Sequence, residues 1–120
     1  MADKPTIVVA TNNAGKLKEF TLLLPNFKII SQSSLNISPE EELGETFFEN
    51  SLQKARVANN ASGMVSLGDD SGLIVPALNN LPGLRSARYA HENATDEENR
   101  QHLRKELEGQ DLNQAKAYFV

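Results

Sequence analysis

Thr6-Ile-Val-Val-Ala10 is a continuous run of apolar and β-branched residues with no polar alternation, the pattern of a strand buried on both faces. Such a strand needs neighbours on either side and cover above and below. It runs directly into Thr11-Asn-Asn-Ala-Gly-Lys16 and then into a helical pattern in which Leu17, Phe20, Leu23 and Leu24 share one face, while Lys18 and Glu19 point away. Pro25 ends that helix, and Phe27-Lys-Ile-Ile30 reads as a second short strand. Strand, helix, strand in this order predicts an α/β layered domain built on a largely buried sheet.

The remaining segments extend the alternation. Ser31 to Gly44 is polar and acidic, with Pro39 and the run Glu40-Glu41-Glu42, and reads as a loop. Thr46-Phe-Phe-Glu49 is a capping box opening a helix to about Ser62, with Gly63 as its stop and Phe48, Leu52 and Ala55 on one face. Asn50 and Lys54, four apart, share another face. Val65-Ser-Leu-Gly-Asp-Asp-Ser-Gly-Leu-Ile-Val75 reads as two short strands around an acidic turn. Asn79 to Leu84 is loop-like. Thr95-Asp-Glu-Glu98 is a second capping box, starting a helix through Leu103 and Leu107 that Gly109 closes, and Ala115 to Val120 opens a further strand pattern.

Size and charge narrow the function classes. At 120 residues the chain suits one compact domain, expected to span 1–120, and 39% hydrophobic with 23% charged residues suits a globular protein. No apolar run approaches a membrane span, and Met1-Ala-Asp-Lys-Pro5 is not a secretory signal, so no membrane partner is expected. With no cysteine, disulfides, thiolate catalysis and zinc–thiolate sites are excluded. A net charge of −4 argues against nucleic acid as a partner, which needs a broad basic face, but leaves room for a small anion held by local donors and a metal.

Three stretches carry candidate chemistry. Thr11 to Lys16, between a strand and a helix, can present backbone amides and the Lys16 ammonium to a phosphate; it is not a P-loop, since Ala10 stands where the first glycine would fall and Leu17 replaces the magnesium-binding hydroxyl. An asparagine-capped strand-to-helix turn is the plain alternative. Asp69 and Asp70, followed by Ser71 and Gly72, put two carboxylates at the end of a strand, where a divalent cation is the usual compensator; the same residues also make ordinary turns. Glu41 and Glu42 precede the second helix, where carboxylates interact well with the helix dipole, and a solvated acidic loop is the plain alternative. Arg85 and Arg88 near Tyr89 suit a phosphate or a dimer contact, and His91 and His102 read as surface histidines.

In order, Thr-Asn-Asn-x-Gly-Lys, an acidic loop into Thr-Phe-x-Glu-Asn, Lys54-Ala-Arg, Asp69-Asp-Ser-Gly-Leu73, Leu81-Pro-Gly and Ser86-Ala-Arg-Tyr89 closely resemble the inosine triphosphate pyrophosphatase family, the Ham1-like nucleoside triphosphate pyrophosphatases. The resemblance runs from Ile7 to the last residue and is most specific in Phe47 to Ala55 and Asp69 to Leu73. It implies a mixed twisted sheet flanked by helices, in two lobes around a cleft. It also implies magnesium-dependent hydrolysis of noncanonical purine nucleotides (dITP/ITP and XTP) to the monophosphate and pyrophosphate, in a cytoplasmic homodimer. Position by position, Thr11, Asn12, Asn13, Ala14, Gly15 and Lys16 would bind the triphosphate, with Lys16 also catalytic, and Lys54 would support the phosphates. Glu41 and Asp69 would be magnesium ligands together with Asp70, Asp70 would also be the proton acceptor that activates water, and Ser71 would contact substrate. His91 replaces the family's usual glycine. The family's later Gly-Phe-Gly-Tyr-Asp-Pro and Ser-His-Arg-Gly motifs, which supply much of the nucleobase pocket, match nothing in these residues, so the expectation is a partial fold lacking the C-terminal part. The competing expectations are a catalytically inactive member with residual nucleotide binding and a Maf-like pyrophosphatase; a phospho-acceptor domain would carry its acidic pair after the first strand, where this chain has Asn12, Asn13 and Lys16.

Overall fold

The computed structural model describes residues 3–111, 113 and 115–120. The chain divides into two compact units, one ending at Asp70 and the other starting at Ser71, and each is taken by itself.

The first unit is a parallel three-stranded sheet with helices. β1 (Thr6–Val9) is central, paired with β2 (Lys28–Ser31) on one side and β3 (Ser66–Leu67) on the other. The buried character read from the sequence is present: Val8 and Val9 are fully buried and Ala10 nearly so. Val8 and Ala10 meet Ala58, with Ile30 and Leu35 packed against them. Ser31 to Gly44 is mostly irregular, as expected, but contains a short 3-10 turn at Gln32–Leu35 that Ser31 caps and in which Gln32 is buried.

α1 (Ala14–Leu23) buries no residue fully, and Leu23, expected on its inward face, is 72% exposed. The helix lies against β2, the edge of the sheet, so its packing partner is narrow and only part of the apolar stripe finds cover. α2 (Phe47–Ser62) starts and stops where its cap residues direct: Thr46 Oγ1 accepts from Glu49 N (3.0 Å), and Gly63 ends the helix at φ 70°. The reciprocal half of the expected capping box is displaced by one residue, because the Glu49 carboxylate accepts from Glu45 N (2.8 Å) instead of from the cap residue. The expected apolar face of α2 is also corrected. Phe48 is 73% exposed, while Asn50 and Ala58 are buried, so the side carrying residues 50, 54 and 58 is the one turned inward.

The second unit is antiparallel. β4 (Leu73–Val75) is central between β5 (Leu81–Pro82) and β6 (Tyr118–Phe119). α3 (Asp96–Leu107) has the full capping box predicted for it: Thr95 Oγ1 accepts from Glu98 N (3.2 Å) and Glu98 Oε1 accepts from Thr95 N (3.0 Å). Asn99 ties this helix to the preceding segment through Ala90 N (2.9 Å) and the Ala87 carbonyl (3.0 Å). Both strand directions are therefore present, divided over two three-stranded sheets with helices beside them, as an α/β architecture of mixed pairing requires. Among the described residues no helix is long and apolar enough to cross a membrane.

Candidate active site

β3 ends at Leu67, and Gly68 follows as the last residue before the acidic pair. A Cβ at position 68 would collide with the Ser51 carbonyl oxygen and lie 2.9 Å from Ala55 N. Only glycine lets this strand end press against the α2 backbone. The close approach delivers Asp69 and Asp70 to the next turn of the same helix, where Lys54 stands.

Lys54 Nζ meets three oxygens: Glu42 Oε1 at 2.9 Å, the Asp69 carbonyl at 3.2 Å and Asp70 Oδ1 at 3.4 Å. Three acceptors match the three protons of an ammonium group. Asp70 is deeply set, with its side chain 8% exposed, and its Oδ2 is buried without a hydrogen-bond partner. Burial pushes the Asp70 carboxyl above the usual aspartate value and Glu42 adds to the rise, while Lys54 and the Asn50 amide act against it. Beside this cluster Lys16, in the first turn of α1, pairs with Asp69 Oδ2 at 2.5 Å, both side chains about one-third exposed.

The acidic loop is fixed by Asn50 from the same inward face of α2. Gly44 N donates to Asn50 Oδ1 (2.7 Å), and a Cβ on Gly44 would strike that oxygen and approach Glu49 Cβ to 2.8 Å. A second tie comes from Gln53, whose Nε2 donates to the Glu41 carbonyl (2.6 Å) and whose Oε1 accepts from Leu43 N (3.2 Å). Of the two adjacent glutamates, Glu42 reaches Lys54, while Glu41 is exposed. Asn50, Gly44 and Gly68 are the site residues that sequence reasoning passed over. Their signal was present but indirect: Asn50 lies one turn before Lys54 on the same face, Gly68 directly precedes Asp69-Asp70, and Gly44 follows Glu40-Glu41-Glu42 by two residues.

In the Thr11 to Lys16 loop the asparagine cap is formed. Asn13 Oδ1 accepts from Gly15 N (2.9 Å) and Lys16 N (3.2 Å), and Thr11 Oγ1 accepts from Asn13 N (3.0 Å). Asn12, Asn13, Ala14 and Gly15 are exposed, so a ligand has access to the loop. Ser71 is exposed and opens the second unit. Arg85 and Arg88 face Glu92 at 3.4 and 3.7 Å, His91 meets Glu98 at 2.6 Å, and His102 stacks edge-on to Tyr89.

Among the described residues no group of three or more His, Asp or Glu side chains is arranged to hold a metal ion by itself. The donors nevertheless suit magnesium, which binds one or two carboxylates and completes its octahedron with water and substrate phosphates. The unpartnered, buried Asp70 Oδ2 is an oxygen donor of that kind.

The chain matches the model of the Ham1 family over residues 7–120. It is 49% identical over 119 residues to a dITP/XTP pyrophosphatase of Haemophilus influenzae, covering 98% of this chain and 61% of that protein. It is 46% identical over 113 residues to a dITP/XTP pyrophosphatase of Legionella pneumophila, covering 94% and 58%. Among solved structures, a HAM1 protein from Coxiella burnetii superimposes with TM-score 0.80 at 40% identity, covering 96% of this chain and 61% of that one. The Staphylococcus aureus Ham1 protein gives 0.75 at 35%, covering 95% and 68%. The chain thus spans about 60% of the length of the curated relatives it matches. Sequence and fold together show that this chain belongs to the Ham1 family.

Proposed function

We propose that the protein is a nucleoside triphosphate pyrophosphohydrolase acting on noncanonical purine nucleotides, dITP/ITP and XTP, with magnesium as its cofactor. The observation that carries this reading is the convergence of two lysines and three carboxylates in one unit: Lys16 on Asp69, and Lys54 between Glu42 and Asp70. Cations to hold phosphates and oxygens to hold a metal are what phosphoryl chemistry demands. The names of the relatives, dITP/XTP pyrophosphatases, supply the substrate class.

In this reading Thr11, Asn12, Asn13, Ala14, Gly15 and Lys16 embrace the triphosphate, Lys54 supports its phosphates and Ser71 contacts it. Magnesium would be held by carboxylates drawn from Asp69, Asp70 and Glu41, with Glu42 close by on Lys54, and would supply electrostatic stabilisation of the charge that develops on the phosphate oxygens. Asp70 takes the proton of a water whose oxygen attacks the α-phosphorus. The bond from that phosphorus to the bridging oxygen breaks, and its electron pair leaves with pyrophosphate. Burial raises the Asp70 carboxyl above its ordinary value, the direction that strengthens it as a proton acceptor. The resemblance further supports a cytoplasmic homodimer, measurable as twice the chain mass by light scattering.

Incubation with ITP and magnesium is the direct test. IMP and pyrophosphate are the expected products; inosine diphosphate and orthophosphate would overturn the assignment.

A further inference from the structure

The two lysines proposed to bind phosphate and the carboxylates proposed to bind metal are, in this structure, bound to each other. Lys16 Nζ lies 2.5 Å from Asp69 Oδ2. Lys54 Nζ lies between Glu42 Oε1 (2.9 Å) and Asp70 Oδ1 (3.4 Å), with the Asp69 carbonyl completing its set at 3.2 Å. The Lys54 ammonium therefore stands where a cation shared by Glu42 and Asp70 would stand, and its three protons are all engaged. The other oxygen of Asp70, Oδ2, is buried with no hydrogen-bond partner, so the ammonium meets only one side of this carboxylate.

We propose that ligand binding here is an exchange of ionic partners, in which Lys16 and Lys54 pass from the carboxylates to the triphosphate as a divalent cation takes the carboxylates. The inference rests on the functional reading above and adds the coupling between its two ligands. A metal arriving alone must displace an ammonium ion from both carboxylates and the Asp69 carbonyl, with no new anion in the site to receive it. A triphosphate arriving alone must strip lysines from carboxylates that lose these ionic partners in a partly buried site. Arriving together, each ligand provides the partner that the other has released. Metal and triphosphate thus bind weakly apart and strongly together, and the coupling is reciprocal.

Calorimetric titrations with manganese chloride alone and with inorganic tripolyphosphate alone test this without turnover. Lys54→Met should tighten manganese binding at least tenfold, whereas Lys18→Met, an exposed lysine on α1 carrying the same charge, should change it less than twofold. Asp69→Asn should tighten metal-free tripolyphosphate at least tenfold, with Glu19→Gln as its matched control. Equal shifts in a site variant and its control would reduce the effect to overall charge and overturn the exchange. Should Lys54→Met fail to unfold cooperatively, the wild-type protein answers instead: saturating magnesium alone must move the Lys54 Nζ resonance, and an unmoved resonance overturns the proposal. A wild-type protein that releases no IMP would remove the proposed function while leaving these affinities to judge the exchange separately.

Discussion

Asp70 is a carboxylate whose surroundings disagree about its charge. Burial and Glu42 favour the protonated form, and Lys54 and Asn50 favour the ionised one. A residue held in that tension has much to lose from small changes of chemistry. Asp70→Asn keeps the shape and removes the proposed proton acceptor, so kcat should fall by about 10²- to 10⁴-fold with KM for ITP changed far less; unchanged IMP release would remove Asp70 from the base role. The neighbouring glutamates offer a sharper comparison. Glu42 contacts Lys54 and Glu41 is exposed, so Glu42→Gln should raise the magnesium concentration needed for half-maximal activity more than Glu41→Gln does. Equal effects would place both side chains on the metal. Gly68 is a residue of another kind, important for an atom it lacks. Gly68→Ala forces the strand end off α2 and should cost about 1–3 kcal/mol or more in denaturant unfolding.

Elements in this chain obey their caps more faithfully than their apolar stripes. α3 begins at a complete capping box and α2 ends at a left-handed glycine, and both boundaries were readable from Thr95, Glu98 and Gly63. Thr95→Ala should destabilise the second unit by ~1 kcal/mol, visible as a lowered unfolding midpoint. Glu98 gives that cap a pH dependence. Its hydrogen bonds to His91 and then Thr95 lower its carboxyl from 4.5 to about 2. A folded-state value below the unfolded one means that the stabilisation is present above about 4.5 and lost as pH falls towards 2. An acid titration followed by circular dichroism should therefore show Glu98→Gln with a shallower stability loss over that window than wild type. Legibility stopped where local pattern met tertiary packing. The continuous apolar run of β1 announced its burial because no other environment suits it. Leu17, Phe20 and Leu24 along the α1 stripe and Leu52 and Ala55 of α2 are partly covered as expected, but Leu23 and Phe48 are exposed. Helical periodicity records which residues could be inside, while the neighbouring strand decides which are. Phe48 lost its expected cover, and Asn50 gained burial, once Gly68 brought β3 against the other side of α2. The site followed the same rule: its charged members were legible as types, while the contact of Glu42 with Lys54 depends on loop contacts from Asn50 and Gln53 that no spacing rule encodes.

At the scale of the whole molecule, the protein is anchored by a small buried nucleus and carries much apolar surface outside it. Val8, Val9 and Ala10 are buried, while Leu22, Leu23, Leu43, Phe48 and Phe119 are each more than 70% exposed. Amide hydrogen exchange should accordingly be slowest at Val8 and Ala10, whose amides bond to Val65 and Leu67, and fast at Tyr118 and Phe119 in exposed β6; the reverse order would move the stable nucleus elsewhere. The ionic pairs of the site have a further consequence, for the speed of encounter. Lysines already matched to carboxylates project little field into solvent, and the chain as a whole carries −4, so the site's lysines exert little pull on an anionic nucleotide at a distance. Capture should proceed at an unsteered pace of about 10⁵–10⁶ M⁻¹s⁻¹ and change little between dilute and physiological salt. Under the proposed exchange, selectivity for a metal-bearing nucleotide would be exercised after contact, by what stays, rather than before it, by what is drawn in.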